Sequence, residues 1–371
     1  MKSSFTIGHI FGIPVKIHFS LLIILPFFAW AFGSNIIYLT EYTEIARREL
    51  IFNPYILGAV MAVLLFISIL IHELSHALVA RANGLETTDI TLMLLGGLAN
   101  MEDFSEEPEK EIKIAASGPA ASLIIGGILI FLASFSPDFI IEDIRLVILY
   151  TGQLNIFLAI FNLLPAFPSD GGRILRAFIA RKKSLLEATE IAARIGKGFA
   201  VFFGVLGFMS GNFLLIFIAI YIYVAATQED QFNHIKSALS DLNVGHLMTE
   251  DVKTVPVNLS VHQLIQKMFE EKHSGFPVLR DGKVVGIVTM EDAQKISKDE
   301  YQNTPVQTIM ETDIHCVKKE DTLFKAFELL FQKDIGRLIV LDDNGELTGI
   351  ITRSDVMTGI RVRQLENIEK D

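Results

Sequence analysis

Cysteine, tryptophan and positive charge are what this sequence has little of. A lone cysteine, Cys316, among 371 residues excludes an internal disulfide framework and any cysteine-rich zinc module. Lys and Arg number 32 against 43 Asp and Glu, a net charge of −11, which argues against a general nucleic-acid binder. The opening stretch, MKSSFTIGHIFGIPVKIH, has no basic segment leading straight into an apolar core, so no cleaved signal peptide is expected. Tyr and Trp number 7 and 1 beside 28 Phe. What is abundant is apolar surface: 51 % of residues are hydrophobic and mean hydropathy is +0.44. That excludes an intrinsically disordered chain. The length suggests two or three domains.

The apolar runs lie almost entirely before residue 235, and the chain beyond is charged and periodic. A bilayer core needs roughly 20 mostly apolar residues per helix. Residues 17–32 with their flanks, 55–80, 112–135, 144–167, 188–209 and 213–227 meet that need, giving six membrane helices. The fifth carries Arg194 and Lys197 in its first half. Basic residues crowd the segment after the fourth: Arg173, Arg176, Arg181, Lys182, Lys183, Arg194 and Lys197. The positive-inside bias makes that end cytoplasmic. Counting helices then puts the N-terminus, the end of the second helix and everything past residue 235 in the cytoplasm. The loops near 40–48 and 138–143 fall outside.

The second helix ends in Ile71-His72-Glu73-Leu74-Ser75-His76-Ala77. In this HExxH pattern residues i and i+4 share a face, so both imidazoles can reach one metal. Zinc accepts neutral histidine nitrogen, and Glu73 is placed to take a proton from a water at that metal. Three ionisable groups in one turn of an apolar helix are expensive, which points to function rather than to a polar cluster bridging helices. A hydrolytic zinc site wants a third protein ligand. The fourth helix ends in Asn162-Leu163-Leu164-Pro165-Ala166-Phe167-Pro168-Ser169-Asp170-Gly171-Gly172, where two prolines break the helix. Irregular backbone at membrane depth lines protein or a wet cavity. Asp170 lies at the same membrane end as His72 and His76. Read alone, the proline segment is equally a plain turn.

HELSH at 72–76 and NLLPAFPSDGG at 162–172, in this order on these helices, resemble the site-2 protease family of intramembrane zinc metalloproteases over about residues 1–235. The resemblance implies that His72, His76 and Asp170 ligate zinc and that Glu73 is the general base. It also implies that Asn162 helps bind substrate or stabilise the oxyanion. Asn155, seven residues earlier, is a weaker candidate. The segment Ser117-Gly118-Pro119-Ala120-Ala121-Ser122 resembles a Gly-Pro stretch of the family, with Ser122 where relatives often carry Asn. That departure weakens any specific role for position 122. Residues 84–101 alternate as a strand does. In the family this region lies near the active site, where a substrate segment could add to its edge. A simple hairpin over the second helix is the other reading. The acidic run at 102–111 reads as a solvated loop and helix start. The remaining histidines lack metal-ligand spacing.

Residues 244–371 hold an internal repeat of about 62 residues. His246-Leu247-Met248-Thr249 aligns with Thr308-Ile309-Met310-Glu311, and GIVTMED at 286–292 with GIITRSD at 349–355. Each copy has an amphipathic helix, at 261–272 and 323–333, followed by two strands. Asp281-Gly282 and Asn344-Gly345 supply the hairpin turns. The repeat resembles a tandem pair of CBS domains. That resemblance implies a nucleotide whose phosphate and ribose meet Thr289 and Asp292 in one copy, Thr352 and Asp355 in the other. These residues are equally good helix caps.

The expected fold is a polytopic α-helical membrane domain of about six transmembrane helices over 1–235, a linker at 236–243, and a soluble α/β CBS pair at 244–303 and 304–371. The expected function is an intramembrane zinc endopeptidase that cleaves transmembrane segments of other proteins. One Zn2+ per chain is expected, with ATP, ADP or AMP at the CBS pair and a homodimer through it. No nucleic-acid partner is expected. The location expected is the plasma membrane of a prokaryote. The rival is a CBS-regulated metal-ion transporter or channel, against which Glu73 argues, because transport needs no general base.

Overall fold

The computed structural model describes residues 4–42, 50–93, 96–101, 107–135 and 141–368. Most of the loops expected on the outer side, and 102–106 of the acidic run, lie outside the described residues. The chain divides into two units, Met1–Gln231 and Phe232–Asp371.

The first unit opens with a hairpin, β1 (Ser4–Ile10) and β2 (Ile13–His18), turned at Phe11-Gly12 with φ of 52° and 77°. Helix α1 (Phe19–Tyr42) follows, then α2 (Pro54–Ala82), capped by Asn53 Oδ1 on the N–H of Tyr55 at 2.9 Å. A second hairpin, β3 (Thr87–Met93) and β4 (Gly96–Met101), joins the first in a sheet of order β1-β2-β3-β4. Strands β2 and β3 are parallel, with Val15 opposite Ile90. Next come α3 (Pro108–Ser134), α4 (Glu142–Asn162), the short α5 (Asp170–Ala180), α6 (Leu185–Ser210) and α7 (Phe213–Ser240).

Among the described residues six helices are long and apolar enough to cross a membrane: α1, α2, α3, α4, α6 and α7. Their outer faces keep large apolar side chains such as Trp30, Phe131, Phe157 and Phe208 exposed. Hydrocarbon is the solvent that suits such faces, and this unit is an integral membrane domain.

Three boundaries differ from the sequence expectation, each for a local reason. The first helix starts at Phe19, because residues 13–18 pair as strand β2. The fourth stops at Asn162, since Pro165 and Pro168 cannot continue its hydrogen-bond ladder, and the break is followed by α5. The sixth runs 13 residues past 227, and the stretch read as a linker is helical up to Ser240. Ile235 and Leu239 on that extension already belong to the second unit and join its own core.

The second unit is a doubled α/β motif. Its first copy has β5 (Val255–Pro256), α8 (Val261–Glu271), β6 (Gly275–Arg280), β7 (Lys283–Thr289) and α9 (Met290–Gln294). Its second has β8 (Cys316–Val317), α10 (Leu323–Gln332), β9 (Arg337–Leu341), β10 (Leu347–Thr352) and α11 (Arg353–Ile368). Ser260 and Gln263 close a capping box on α8. The two-residue strands β5 and β8 pair parallel to β6 and β9 and are too short to carry a periodicity. The copies interlock reciprocally. A Cβ at Gly286 would lie 2.8 Å from Met310 Sδ, and one at Gly349 would lie 2.7 Å from Met248 Sδ. Each repeat's methionine thus seats on the other repeat's glycine. Phe276, 1 % exposed, fills the first core with Leu264, Met268 and Val288. Phe276→Ala is expected to cost about 3–5 kcal/mol in unfolding of this unit, checked by denaturant titration.

Candidate metal centre

The site begins with α2. One helical turn separates His72 and His76, and both are buried, 4 % and 5 % exposed. Each ring uses its Nδ1 on α3. His76 Nδ1 lies 2.7 Å from the carbonyl of Ile114, which can only accept, so Nδ1 carries a proton and Nε2 is the nitrogen left to face a metal. His72 Nδ1 lies 3.0 Å from Ser122 Oγ, a hydroxyl that can accept in the same sense. The two Nε2 atoms then point to a common partner, Asp170 Oδ2, at 3.1 and 3.2 Å.

Asp170 reaches this point through the break after α4. Leu163 caps that helix, the chain turns through a cis Phe167–Pro168 peptide, and Ser169 Oγ donates to the carbonyls of Leu164 and Ala166. Asp170 is then the first residue of α5. A Cβ at Gly171 would lie 2.3 Å from the Leu164 carbonyl oxygen, so the glycine lets α5 start against the preceding turn.

His72, His76 and Asp170 are the one group of three or more potential metal ligands among the described residues, with ligand atoms within 4.8 Å of one another. With Nδ1 of each ring turned to a partner on α3 that can accept its proton, three potential electron-pair donors converge. Such a trio repels itself unless a cation sits among its members, and two neutral imidazoles with a carboxylate form a donor set suited to zinc. The edge of a zinc tetrahedron is about 3.3 Å, close to the Nε2–Oδ2 separations.

Two glycines let backbone close over this centre. A Cβ on Gly118 of α3 would lie 2.3 Å from His76 Nε2 and 2.6 Å from His72 Nε2. A Cβ on Gly97 of β4 would lie 2.3 Å from Glu73 Cγ, so the strand passes directly over the glutamate. Strands β3 and β4 pair as an antiparallel hairpin, and β4 is the edge strand of the sheet beside Glu73. Asn162 turns its side-chain amide back on its own helix, donating to the Leu158 carbonyl at 3.0 Å. Asn155 is fully buried; its Nδ2 donates to Ser68 Oγ at 2.9 Å and to the Thr151 carbonyl at 2.8 Å, which bridges α4 to α2, while its Oδ1 has no partner among the described residues.

Position 122 is the residue that sequence reasoning undervalued. Ser122 is fully buried and holds His72, a role that becomes visible only when α3 is laid against α2. Partners of this kind orient metal-binding imidazoles. Ser122→Ala is expected to weaken zinc binding about 10- to 100-fold, with Ser122→Asn recovering most of it, read by chelator competition.

In the second unit, Thr289 and Thr352 each receive the predicted aspartate. Asp292 Oδ2 accepts from Thr289 Oγ1 at 2.7 Å and N at 3.0 Å, and Asp355 Oδ2 accepts from Thr352 Oγ1 at 2.7 Å and N at 2.8 Å. Both pairs cap the following helix. Lys295 also donates to Asp292 Oδ1 at 2.8 Å. Partial burial opposes the charge on Asp292, yet Lys295 and Thr289 hold its carboxyl below the usual carboxylate range.

A buried His–His–Asp trio with a glutamate alongside, set among apolar membrane helices, defines a membrane-embedded metallopeptidase. The chain belongs to peptidase family M50, the site-2 proteases, which it matches over residues 60–145 and 137–203. CBS-domain matches cover 244–299 and 306–361. It is 32 % identical to a zinc metalloprotease of Methanocaldococcus jannaschii over the full length of both chains. Among solved structures it is similar to the site-2 protease from that organism, at 35 % identity over 61 % of this chain and 95 % of the other, with a TM-score of 0.43. A structure of CBSX2 in complex with AMP is 28 % identical, over 34 % of this chain and 98 % of that one, with a TM-score of 0.30. The protein is a zinc metalloendopeptidase of the site-2 type with a tandem CBS pair.

Proposed function

We propose that this protein cleaves the transmembrane segments of other membrane proteins, that His72, His76 and Asp170 hold its zinc, and that Glu73 is its general base. The observation that carries the reading is the convergence of His72 Nε2, His76 Nε2 and Asp170 Oδ2, with both Nδ1 atoms engaged on α3. A zinc ion bound there supplies Lewis-acid chemistry for peptide hydrolysis. Glu73 accepts a proton from the attacking water and returns it to the departing amine. Asn162 spends one amide N–H on Leu158 and offers the other to the substrate oxygen. A helical substrate has every backbone carbonyl engaged, so it unwinds first. The edge of β4 above Glu73 suits an extended segment, which adds to it as a further strand.

The basic residues after α4 support a cytoplasmic site, with cutting near the cytoplasmic side of a plasma membrane and a cytoplasmic CBS pair. In this reading the protease spans 1–235, the connection 236–243, and the two CBS copies 244–303 and 304–371. The pair dimerises and binds an adenine nucleotide, and binding shifts the cleavage rate.

The test is bound zinc, together with cleavage of a model single-span substrate by the full-length protein in detergent. About one zinc per chain with cleavage inside the span supports the reading. A zinc-loaded protein that cuts none of several such spans, or a protein without zinc, overturns it. A cleavage rate unchanged across physiological ATP and AMP concentrations overturns the nucleotide part.

A further inference from the structure

Helix α5, which presents Asp170, has 11 residues, and helices that short are marginal without tertiary support. Its buried residues are Gly171, Gly172, Arg176 and Ala177, so the one large side chain it buries is a guanidinium. Arg176 is 6 % exposed. Its Nε and Nη2 both donate to Glu111 Oε1 on α3, and its Nη1 donates to Glu229 Oε1 on α7 at 2.7 Å. The same guanidinium lies 5.5 Å from the centre of the Phe167 ring, on the turn that delivers Asp170. Glu111 is fully buried, and its second carboxylate oxygen has no partner among the described residues.

An apolar side chain of similar volume would hold α5 at least as firmly, since buried ion pairs rarely out-stabilise apolar packing. What a planar fork adds is direction. Contacts to α3, to α7 and to Phe167 fix both the rotation of α5 and its height. Asp170 sits six residues back, about 9 Å along the same axis. We infer that Arg176, held between Glu111 and Glu229, is a positioning residue that sets Asp170 as the third metal ligand. Glu229 brings α7 into the clamp, so the aim of Asp170 depends on three helices. The inference rests on the metal reading above.

The experiment is a double-mutant cycle on zinc affinity in the full-length protein, measured by chelator competition, with the Co2+ absorption spectrum as a second readout. Arg176→Lys keeps the charge but not the fork. It is expected to weaken zinc about tenfold and to alter the Co2+ spectrum. In an Asp170→Asn background, already weakened, the same change is expected to shift affinity less than about twofold, because the residue acts through Asp170. Glu229→Gln follows the same pattern with a smaller loss. A triple variant, Glu111→Gln with Arg176→Met and Glu229→Gln, leaves no buried charge uncompensated and behaves as Arg176→Lys does. Equal losses in both backgrounds, or a folded variant with unchanged affinity and spectrum, overturn the inference while the metal reading stands. A wild type without zinc, or an Asp170→Asn variant that binds zinc as tightly as wild type, overturns the metal reading and the inference with it.

Discussion

Glu73→Gln is expected to keep about one zinc per chain and to lose cleavage by a factor of about 10² to 10⁴. The amide occupies nearly the volume of the carboxylate, so β4, which passes over this side chain at Gly97, needs no rearrangement. His72, His76 and Asp170 keep their mutual geometry, because the other contacts of the two rings run to α3 and Asp170 is carried by the turn that Ser169 braces. What is lost is the group proposed to accept a proton and return it. The measurement is metal content by elemental analysis beside a timed cleavage assay of both proteins. Zinc retained with cleavage retained would remove Glu73 from the chemistry. Zinc lost together with cleavage would make it part of the metal's support instead.

Gly118→Ala is expected to abolish the metal centre, with zinc below about a tenth of an equivalent per chain. The added methyl would lie 2.3 Å from His76 Nε2 and 2.6 Å from His72 Nε2, well inside van der Waals contact. Such overlaps are relieved when the intruding neighbour is the free end of a flexible side chain. Here the ends that must give way are the two ring nitrogens proposed to hold the metal. Their other nitrogens are tied to Ile114 and Ser122 on the same helix that carries the methyl. Overpacking of this kind costs about 1–3 kcal/mol in a fold, but the larger consequence is at the centre. Metal analysis of protein that runs as a folded peak decides the matter. A full equivalent of zinc would mean that α3 stands farther from α2 than the structure has it.

Much of this was legible in the chain. The apolar lengths of α2, α3, α4, α6 and α7 follow from the amount of hydrocarbon a helix must cross, and the HExxH spacing follows from 3.6 residues per turn. The halves of the second unit were legible because a repeat writes the same turn, Asp-Gly or Asn-Gly, twice. Short pieces were not: β1 and β2 lie in the short stretch before the first expected helix, and β5 and β8 have two residues each. Helix α5 was masked by its charge, which reads as a loop until Arg176 is seen to be buried.

The sequence by itself determined the chemistry: the residue types, their order and the helices that carry them, because periodicity and hydrophobic length act within a segment. The tertiary structure decided the geometry. That Asp170, nearly a hundred residues from His72, meets both imidazoles depends on how α5 packs. That Ser122 and Ile114 hold the rings, and that Gly118 and Gly97 are glycines for lack of room, depends on the closeness of α3 and β4 to α2. These are contacts between segments far apart in the chain, and no local pattern encodes a distance across a packed interface.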